Sequence, residues 1–234
     1  MSFSHLDEPQ LAFGLHGQQE GFGIRYDVSQ GADEYWAQIK ARDRDFHSDT
    51  MRKQRRAERD LGPTKLVYDL RDDGHTLKTL IQAKRNQYET NEVNDALAAP
   101  WSRNLLLRLS SMHEELCSGM LSVLYAGDTW VSMHFGLRFR HVLHVWFPVY
   151  NPRMAAYSPG RLLVKALIDN AASEGIRVLD DGEATDDQQQ KRQMGNSRHR
   201  YFRGAWLRPG LRGFAVKAHD SLQWRLERFA RRRS

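Results

Sequence analysis

The middle of the chain alternates hydrophobic and polar residues with a period of two. Residues 119–126, 129–139 and 141–150 show this pattern. Gly127-Asp128 and Arg140-His141 stand at the joints, where tight turns are expected. Such alternation is typical of strands with two different faces. The pattern therefore predicts an antiparallel meander of three strands.

Segments with helical spacing stand on both sides of this meander. Residues 76–90 and 101–117 carry apolar residues at i, i+3 and i+4, and the charged residues 33–60 are compatible with a helix. Residues 159–174 repeat the helical spacing and precede a short strand at residues 176–180. A strand, a crossover helix and a second strand place the two strands parallel. These elements predict an α/β (α+β) fold, with a mixed, mostly antiparallel sheet flanked by helices.

The helical segment at residues 76–90 has one mostly apolar side. That side consists of Leu77, Leu80, Ile81, Lys84 and Tyr88. We interpret it, like the leucine-rich side of residues 101–117, as a surface that packs on the core.

The two ends of the chain differ from its middle. Residues 1–40 are polar and contain several glycines, and we predict a loosely structured leader with one strand at residues 23–28. Residues 41–206 form the predicted domain, and residues 207–234 a basic C-terminal helix. Three apolar residues recur along this helix at i, i+4 and i+7: Leu222, Leu226 and Phe229. We expect them to dock on the domain or on a second subunit, the alternative being a membrane-surface or nucleic-acid handle.

The composition of the 234 residues is that of an ordinary globular protein. No apolar run reaches the roughly 18 residues of a membrane span, and the first residues lack the apolar segment of a secretion signal. The single cysteine, Cys117, excludes an internal disulfide and fits a reducing compartment. We therefore expect a cytoplasmic protein.

The chain is basic, with a formal net charge of +6. This charge favours phosphate-rich cofactors, polyanions or acidic carrier proteins as partners. Basic residues crowd positions 52–59. We interpret them as the solvated face of a helix, so a nucleic-acid partner is not expected.

The start of the helix at residues 159–174 is a candidate anion site. Ser158 suits the N-cap, Pro159 suits the first helical position, and Gly160 lets a ligand approach the backbone. The unpaired N–H groups and the positive end of the helix dipole attract phosphate at such a place. Arg161 completes the candidate segment. The alternative is an ordinary capped helix.

His134 is the candidate general base. Alternation places it between Ser132 and Gly136 on the polar face of its strand, where small neighbours leave room for a ligand, and its ordinary pKa is near neutral. The alternative is a buried histidine bonded to the backbone. Trp146 and Tyr150 are candidate substrate-binding residues that could stack on an acceptor, with core packing as their alternative.

No metal site is predicted. His141 and His144 are three residues apart in a predicted strand, so they lie on opposite faces and cannot form a pair of ligands. No other group of histidines and cysteines has ligand spacing.

The order of several short motifs is more specific than any one of them. In chain order they are Pro100-Trp101, residues 122–127, His134-Phe135-Gly136-Leu137-Arg138, Leu143-His144-Val145-Trp146, Tyr150-Asn151-Pro152, Tyr157-Ser158-Pro159-Gly160, Gly175-Ile176, Asp180 and Gly182. In this order and spacing, residues 45–205 resemble the GNAT-type acyltransferases. They are most similar to the bacterial branch named after a cellulose-biosynthesis protein (CelD-like).

The resemblance implies a GNAT fold and the transfer of an acyl group from acetyl-CoA or another acyl-CoA to an amine or hydroxyl. The acceptor would be a small molecule such as a sugar or a polysaccharide precursor. Residues 158–161 then lie where other GNAT members hold the pyrophosphate of coenzyme A, and His134 falls within the family's pattern. The usual glycine-rich Gln/Arg-x-x-Gly-x-Gly/Ala motif is absent, so the assignment of residues 158–161 rests on position.

The segment after Asp180 departs from the family's pattern. The family usually continues with a second glycine, an acidic residue and Tyr-Lys, whereas here Ala184 and Gln190 replace the glycine and the tyrosine. Two extra residues precede Lys191, the candidate for the family's lysine and for a second catalytic residue. A catalytically silent scaffold in polysaccharide biosynthesis is therefore an alternative.

Two related classes of enzyme also stay open. Fem-type enzymes take aminoacyl groups from tRNA, and other relatives take acyl chains from acyl carrier protein; the basic surface suits either donor. Family members are usually longer, with another domain before this one. The chain could therefore act as half of a site or as a homodimer.

Overall fold

A computed structural model describes residues 2–6, 19–72, 74–112, 114, 117–183 and 188–205. The chain divides into two compact units, which are described separately: Ile24–Arg198, and Met1–Gly23 with His199–Ser234. The predicted C-terminal helix at residues 207–234 lies outside the described residues. None of the helices that the structure describes is both long enough and apolar enough to cross a membrane.

The described strands and helices follow the order predicted from the sequence pattern over residues 75–183. They are β1 (Ser2–Leu6), β2 (Gln19–Asp27), α1 (Ala32–Arg42), α2 (Arg44–Leu61), β3 (Thr64–Val67), α3 (His75–Thr90), α4 (Pro100–Ser111), β4 (Cys117–Ala126), β5 (Thr129–Phe139), β6 (Val142–Tyr150), α5 (Pro159–Asp169), β7 (Val178–Glu183), α6 (Gln189–Met194) and β8 (Ser197–Ala205). Short 3-10 helices cover Pro152–Tyr157 and Ala172–Glu174.

In the larger unit the strands lie in the order β2-β7-β6-β5-β4-β3. β3, β4, β5 and β6 pair antiparallel with their neighbours, and β7 pairs parallel with β6. The predicted meander and the parallel crossover strand are both confirmed. The predicted fold class is confirmed as well, because the sheet is mixed, mostly antiparallel and flanked by helices.

The two faces of this sheet each carry an apolar cluster. One packs α3 and α4 on alternate residues of β4, β5 and β6, among them Leu121, Met133 and Phe135. The other packs α1, α2 and α5 on residues that include Met120, Leu124 and Leu143. Helices thus cover β5 on both faces, which explains why residues 131–136 are all buried.

Alternation along β5 holds apart from one register shift. The pairing of β4 with β5 shifts between Leu124 and Tyr125. Val131 consequently packs with the α1, α2 and α5 cluster, whereas Met133 and Phe135 pack with the other. Strict alternation, which would put these three residues on one face, is therefore interrupted at Val131 by a β-bulge.

The strand predicted within the leader at residues 23–28 is present as part of β2, but the rest of the leader differs from the prediction of loose structure. Residues 19–27 form β2, and α1 buries Tyr35, Trp36 and Ile39 in the larger unit. The polar composition of this segment hides three core side chains at helical spacing. Asp43 separates α1 from α2 and caps α2, since its carboxylate accepts from the N–H of Phe46. Residues 33–60 are thus two helices and not one.

Two other helices end earlier in the structure than the sequence pattern predicts. α4 ends at Ser111, and Cys117 already begins β4, so the predicted helix at residues 101–117 is too long. α5 ends at Asp169, and the remaining residues form a 3-10 turn that ends at Gly175 with a positive φ of 66°. Glycine suits that turn because it adopts positive φ without strain.

In the smaller unit β1 pairs antiparallel with β8. A Cβ atom on Gly21 would stand 2.4 Å from the ring of Tyr201, and one on Gly23 would stand 2.1 Å from the ring of His199. These two glycines make room for aromatic rings of β8.

Candidate functional site

The sheet opens at the C-terminal ends of β6 and β7. The two parallel strands pair through Val142, Leu143 and His144, opposite Val178, Leu179 and Asp180. β6 then continues to Tyr150 and β7 to Glu183, with no further pairing between these described segments. We call the space between residues 145–150 and residues 181–183 the β6–β7 gap. In α/β sheets, ligands bind in crevices at the C-terminal ends of strands.

Part of the β6 backbone faces this gap. Asn151 donates from its N–H to the carbonyl of Val131 at 3.0 Å, and residues of an antiparallel pair alternate in facing toward and away from the partner strand. Pro148 and Tyr150 therefore turn their backbone groups away from β5, toward the gap. Proline fits this edge because it has no N–H to leave unpaired. The pairing with β5 also skips Trp146, which lies at a β-bulge.

α5 begins above the end of β6. Ser132, which lies opposite Tyr150, donates from its hydroxyl to the carbonyl of Pro159 at 3.2 Å. Pro159 occupies the first helical turn as predicted. A Cβ atom on Gly160 would meet no other atom within 4 Å, so the backbone is open to a ligand there. The start of α5 therefore offers an accessible helix terminus at the mouth of the β6–β7 gap.

Ser158 does not act as the predicted side-chain cap. It stands at the N-cap position with a positive φ of 54°, and its hydroxyl makes no capping bond to the helix. The hydroxyl accepts a hydrogen bond from the Nζ of Lys53 instead. The capping interaction is replaced by a contact that brings a lysine to the helix start.

Arg161 points into the protein. Its Nη1 donates to Asp49 at 2.7 Å, and its guanidinium lies 4.5 Å from the ring centre of Phe46. Asp49 and Phe46 both belong to α2, so this predicted cofactor-binding side chain joins two helices. Arginines and a lysine beside Asp49 hold the pKa of that carboxyl below its ordinary value despite partial burial.

The charged segment at residues 52–59 lies beside the start of α5. Lys53 reaches Ser158, and the guanidinium of Arg56 lies 5.3 Å from the ring centre of Tyr157, directly before it. The sequence pattern of these residues predicts a solvated face. The structure shows that part of this face adjoins the candidate phosphate site, which the sequence pattern does not reveal.

His134 is fully buried, with 0% of its surface exposed. It lies opposite Ser122 on β4 and Pro148 on β6, on the face that α5 covers. A Cβ atom on Gly136 would stand 2.6 Å from the imidazole and 2.2 Å from the carbonyl oxygen of His144. The small neighbour thus accommodates the histidine ring itself, so the expected room for a ligand beside His134 is filled by its own side chain.

Burial lowers the pKa of His134 to about 3, and the nearby carbonyl of His144 opposes this change. The imidazole is therefore neutral at any physiological pH. Neither ring nitrogen makes a hydrogen bond of good geometry, and the hydroxyl of Ser122 beside it also lacks a partner among the described residues. Unpaired buried polar groups of this kind are costly and uncommon in native proteins.

Lys191 is held at the end of β7. Its Nζ donates to the carbonyl of Glu183 at 2.9 Å and lies 3.3 Å from the carboxylate of Asp181. Asp181 also accepts a hydrogen bond from the hydroxyl of Tyr26 on β2. Burial raises the pKa of the Asp181 carboxyl, and the Lys191 ammonium opposes that rise. Burial raises the pKa of Tyr26 too, so it remains a proton donor to Asp181.

Asp180 marks the point where β6 and β7 separate. Its buried carboxylate lies 3.1 Å from the Nε of Arg25 and 3.7 Å from the Nδ1 of His144. It also accepts from the N–H of Gly182 at 3.0 Å, and Gly182 has a positive φ of 66°. The bend that turns β7 away from β6 is therefore fixed by a side chain at its base.

Trp146 and Tyr150 are both on β6 beside the gap. Each exposes 41% of its surface, an unusual fraction for large side chains in a sheet. Trp146 packs edge to face on Phe147, with ring centres 6.3 Å apart. Their exposure fits contact with a ligand better than core packing, which was the alternative expected from sequence.

Lys84 was not among the predicted site residues. Its Nζ donates to the carbonyl of Pro148 at 2.9 Å and to Gln87 at 3.1 Å, and it lies 5.1 Å from the ring centre of Tyr88. Burial lowers the pKa of Lys84 to about 8. A sequence signal existed, because Lys84 is the charged member of an otherwise apolar helix side.

The structure brings some predicted site residues together and separates others. Ser158, Pro159 and Gly160 lie together at the start of α5, and the hydroxyl of Ser132, opposite Tyr150, reaches the carbonyl of Pro159. Within the described part of the chain, no hydrogen bond or ion pair joins His134 to Lys191. The described residues also contain no group of three or more histidine, cysteine or acidic side chains that could hold a metal ion. The arrangement can hold a phosphate at α5 and place an extended group along the open edge of β6.

Comparison with solved structures finds the same fold in proteins of very different sequence. The structure of FemX aligns with a TM-score of 0.55 at 9% identity, covering 77% of this chain and 60% of FemX. A C-terminal domain assigned to a lysylphosphatidylglycerol synthetase from Agrobacterium fabrum aligns with a TM-score of 0.55 at 9% identity, covering 86% and 66%. A conserved protein of unknown function from Bacteroides thetaiotaomicron aligns with a TM-score of 0.51 at 7% identity, covering 86% and 68%. The chain thus spans about two thirds of the structures that it resembles.

No curated protein matches the chain in sequence. The sequence profile of the acetyltransferase (GNAT) domain, however, matches residues 44–206, which is well over half of the chain. The matched part contains the meander, the crossover helix and the opening between β6 and β7. The chain therefore belongs to the GNAT acetyltransferase family.

Proposed function

We propose that this protein transfers an acyl group from coenzyme A to the amine or hydroxyl of a small acceptor. The observation that carries the proposal is the open start of α5 at the mouth of the β6–β7 gap. The N–H groups of Arg161 and Leu162 bond to the carbonyl of Ser158, and Pro159 has none. The N–H of the unobstructed Gly160, the helix dipole and the nearby Lys53 favour a phosphate at this position. The gap beside it gives an extended thioester arm access to the edge of β6.

The acceptor side of the reaction is supported by the two exposed aromatic side chains. Trp146 and Tyr150 stand on the strand along which the thioester would lie, and flat apolar rings of this kind suit stacking on a sugar or another small acceptor. The resemblance to the CelD-like branch favours a sugar or a polysaccharide precursor. The acyl group would pass directly to the acceptor, with the thiol of coenzyme A as the leaving group.

We propose that neither His134 nor Lys191 is the general base. His134 is buried and neutral, and Lys191 is engaged by Asp181 and Glu183. We propose that His134 has a structural role in the sheet beneath α5. Lys191 has a structural role at the end of β7, through its contacts with Asp181 and Glu183. Deprotonation of the acceptor by water, or an acceptor with a low pKa, then completes the reaction.

A second candidate donor is supported by the basic half of α2. Arg52 and Arg59 are largely exposed, so a charged row extends outward from Lys53. Such a row suits a donor larger than coenzyme A, either an acyl carrier protein or aminoacyl-tRNA. FemX and the lysylphosphatidylglycerol synthetase domain share the fold. We therefore retain a carrier protein or aminoacyl-tRNA as the second candidate donor.

A matched pair of variants at Gly160 tests the proposal. Coenzyme A at millimolar concentration should raise the melting temperature of the wild type, because a ligand that binds the native state stabilises it. Gly160→Ala should keep this rise, since a Cβ atom there meets nothing. Gly160→Glu should fold equally well, because an acidic residue favours a helix start, but should lose the rise through repulsion of phosphate.

An unchanged wild-type melting curve with coenzyme A would overturn the proposal. Mass spectrometry of ligands that co-purify with the protein would then separate the remaining donors. A bound carrier protein or RNA supports the second candidate, and the absence of any ligand supports a catalytically silent scaffold.

A further inference from the structure

Lys84 occupies an unusual position for a lysine. It lies on the side of α3 that packs against the sheet, together with the buried Leu77, Leu80 and Ile81. Its ammonium is nonetheless not sealed in the core. It reaches the carbonyl of Pro148, which the register of β5 and β6 turns toward the β6–β7 gap. The charge therefore lies at the edge of the gap, beside the strand that carries Trp146 and Tyr150.

The hydrogen bonds of Lys84 leave one donor unused. An ammonium group has three N–H donors. Pro148 takes one at 2.9 Å and Gln87 takes another at 3.1 Å. The ring of Tyr88 lies 5.1 Å away and adds the attraction of an aromatic face for a cation. The third N–H has no partner among the described residues.

The charge of Lys84 also has no counterion. Within the described residues, no carboxylate lies within salt-bridge distance of its Nζ. Burial and the carboxylate of Asp95 raise the pKa of Tyr88, but Asp95 pairs with Arg85 at 2.8 Å. A partly buried charge without a counterion loses hydration and gains little in return. Its depressed pKa is the expected consequence.

We propose that Lys84 is an anion-recognition residue of the acceptor site, which binds a carboxylate or phosphate on the acceptor through its third N–H. This inference rests on the proposed function, since it names the chemical class of the acceptor. An anion at this position supplies the missing counterion and the missing hydrogen-bond partner together. The exposed rings of Trp146 and Tyr150 contact the uncharged part of the same molecule.

Lys84 is a binding residue in this scheme, and its charged form is the one that acts. Arginine retains the positive charge and should preserve recognition in part. Methionine has a similar length and suits the apolar side of α3, so Lys84→Met should fold at least as well as the wild type. Lys78 is exposed on the same helix, and Lys78→Met removes an equal charge away from the gap.

The test follows the amine directly by NMR. Protein labelled with ¹³C at the lysine Cε is titrated with pH, and the Lys84 signal is identified by its absence in Lys84→Met. The probes are acetate for a carboxylate and methyl phosphate for a phosphate, with sodium chloride at the same ionic strength as the reference. We expect one probe to raise the pKa of Lys84 from about 8 toward the ordinary 10.5 in a saturable way. The probe that does so tells carboxylate from phosphate.

The same probes are then measured for affinity in the variants. Lys84→Met should weaken the effective probe by roughly tenfold to a hundredfold, the range of a hydrogen bond to a charged group. Lys84→Arg should retain most of the affinity, and Lys78→Met all of it. The inference is overturned if neither anion moves the pKa of Lys84 beyond the chloride reference, or if Lys78→Met loses as much affinity as Lys84→Met. Binding of coenzyme A is measured separately, so failure of the donor assignment is distinguishable from failure of this one.

Discussion

The Nζ of Lys53 donates a hydrogen bond to the hydroxyl of Ser158, 105 residues further along the chain. This contact brings the basic half of α2 to the first residue before α5. Three sources of positive potential then meet at one corner: the lysine, the helix dipole and the N–H group of Gly160. The corner adjoins the β6–β7 gap, which explains how one phosphate-bearing donor could occupy both.

The first prediction concerns Lys53. Lys53→Met should raise the dissociation constant for coenzyme A by about threefold to tenfold, because one partly exposed charge–phosphate contact is worth on the order of 1 kcal/mol. The wild-type affinity should also fall more steeply with salt than that of the variant. Isothermal titration at two ionic strengths measures both effects. Lys40→Met, an exposed change on α1, is the control and should alter neither.

An affinity for coenzyme A that is identical in Lys53→Met and the wild type would remove Lys53 from the donor site. Its hydrogen bond to Ser158 would then serve only to join α2 to the start of α5.

The second prediction concerns the buried imidazole of His134. Its pKa is lowered in the folded protein to about 3, from an ordinary 6.5 that applies in the unfolded chain. Above about pH 6.5 neither the folded nor the unfolded state binds a proton at His134. The contribution of this group to the free energy of unfolding is therefore fully present there. As the pH falls toward 3 the unfolded state is protonated first, and stability is lost. This one group should cost about 2 kcal/mol between pH 7 and pH 5.

Chemical denaturation across this pH range provides the measurement. The curve for His134→Leu should be flatter than that of the wild type by the stated amount, since the carboxylates titrate alike in both. Catalysis should show no limb that depends on His134 near neutral pH. Parallel stability curves would mean that folding does not lower the pKa of His134, which would restore it as a candidate acid or base near neutral pH.

The third prediction compares two glycines that differ in their surroundings. A Cβ atom on Gly136 would stand 2.2 Å from the carbonyl oxygen of His144, whereas one on Gly160 meets nothing within 4 Å. Gly136→Ala should therefore destabilise the protein by about 1–3 kcal/mol, the usual cost of overpacking. Gly160→Ala should be neutral or stabilise α5 by up to about 1 kcal/mol. Thermal unfolding of the pair decides it, and equal midpoints would show that β5 and β6 can separate locally without cost.

The fourth prediction concerns the hydroxyl of Tyr26. Tyr26→Phe removes one of the two groups that satisfy the buried carboxylate of Asp181, leaving Lys191 as the other. The free energy of unfolding should fall by about 1–3 kcal/mol. A double-mutant cycle with Asp181→Asn should show a coupling above about 0.5 kcal/mol, as expected for residues in contact. Additive effects would mean that the two side chains do not interact in solution.

Much of the fold was predictable because it depends on local periodicity. The alternation in residues 129–139 predicts β5 with its observed ends, and the strand–helix–strand order predicts the parallel pairing of β6 with β7. The prediction of a loosely structured leader failed because the polar composition of this segment obscured its periodicity. Residues 19–42 are polar on average, yet Tyr26, Tyr35 and Ile39 are buried, because a few apolar residues at the right spacing suffice to dock an element.

The candidate site was only partly predictable from the sequence. Pro159 and Gly160 announce a helix start by their own backbone chemistry, so their positions follow from the sequence alone. The environment of His134 does not follow from the sequence. Alternation assigns a residue to one face of a strand, but it does not show which element covers that face. The roles of Lys53 and Lys84 were not predictable either, because each depends on a hydrogen bond to a residue distant in sequence. Lys53 bonds to Ser158, and Lys84 bonds to Pro148. Local sequence determined where strands and helices form, whereas burial, charge pairing and the approach of distant side chains were decided by tertiary packing.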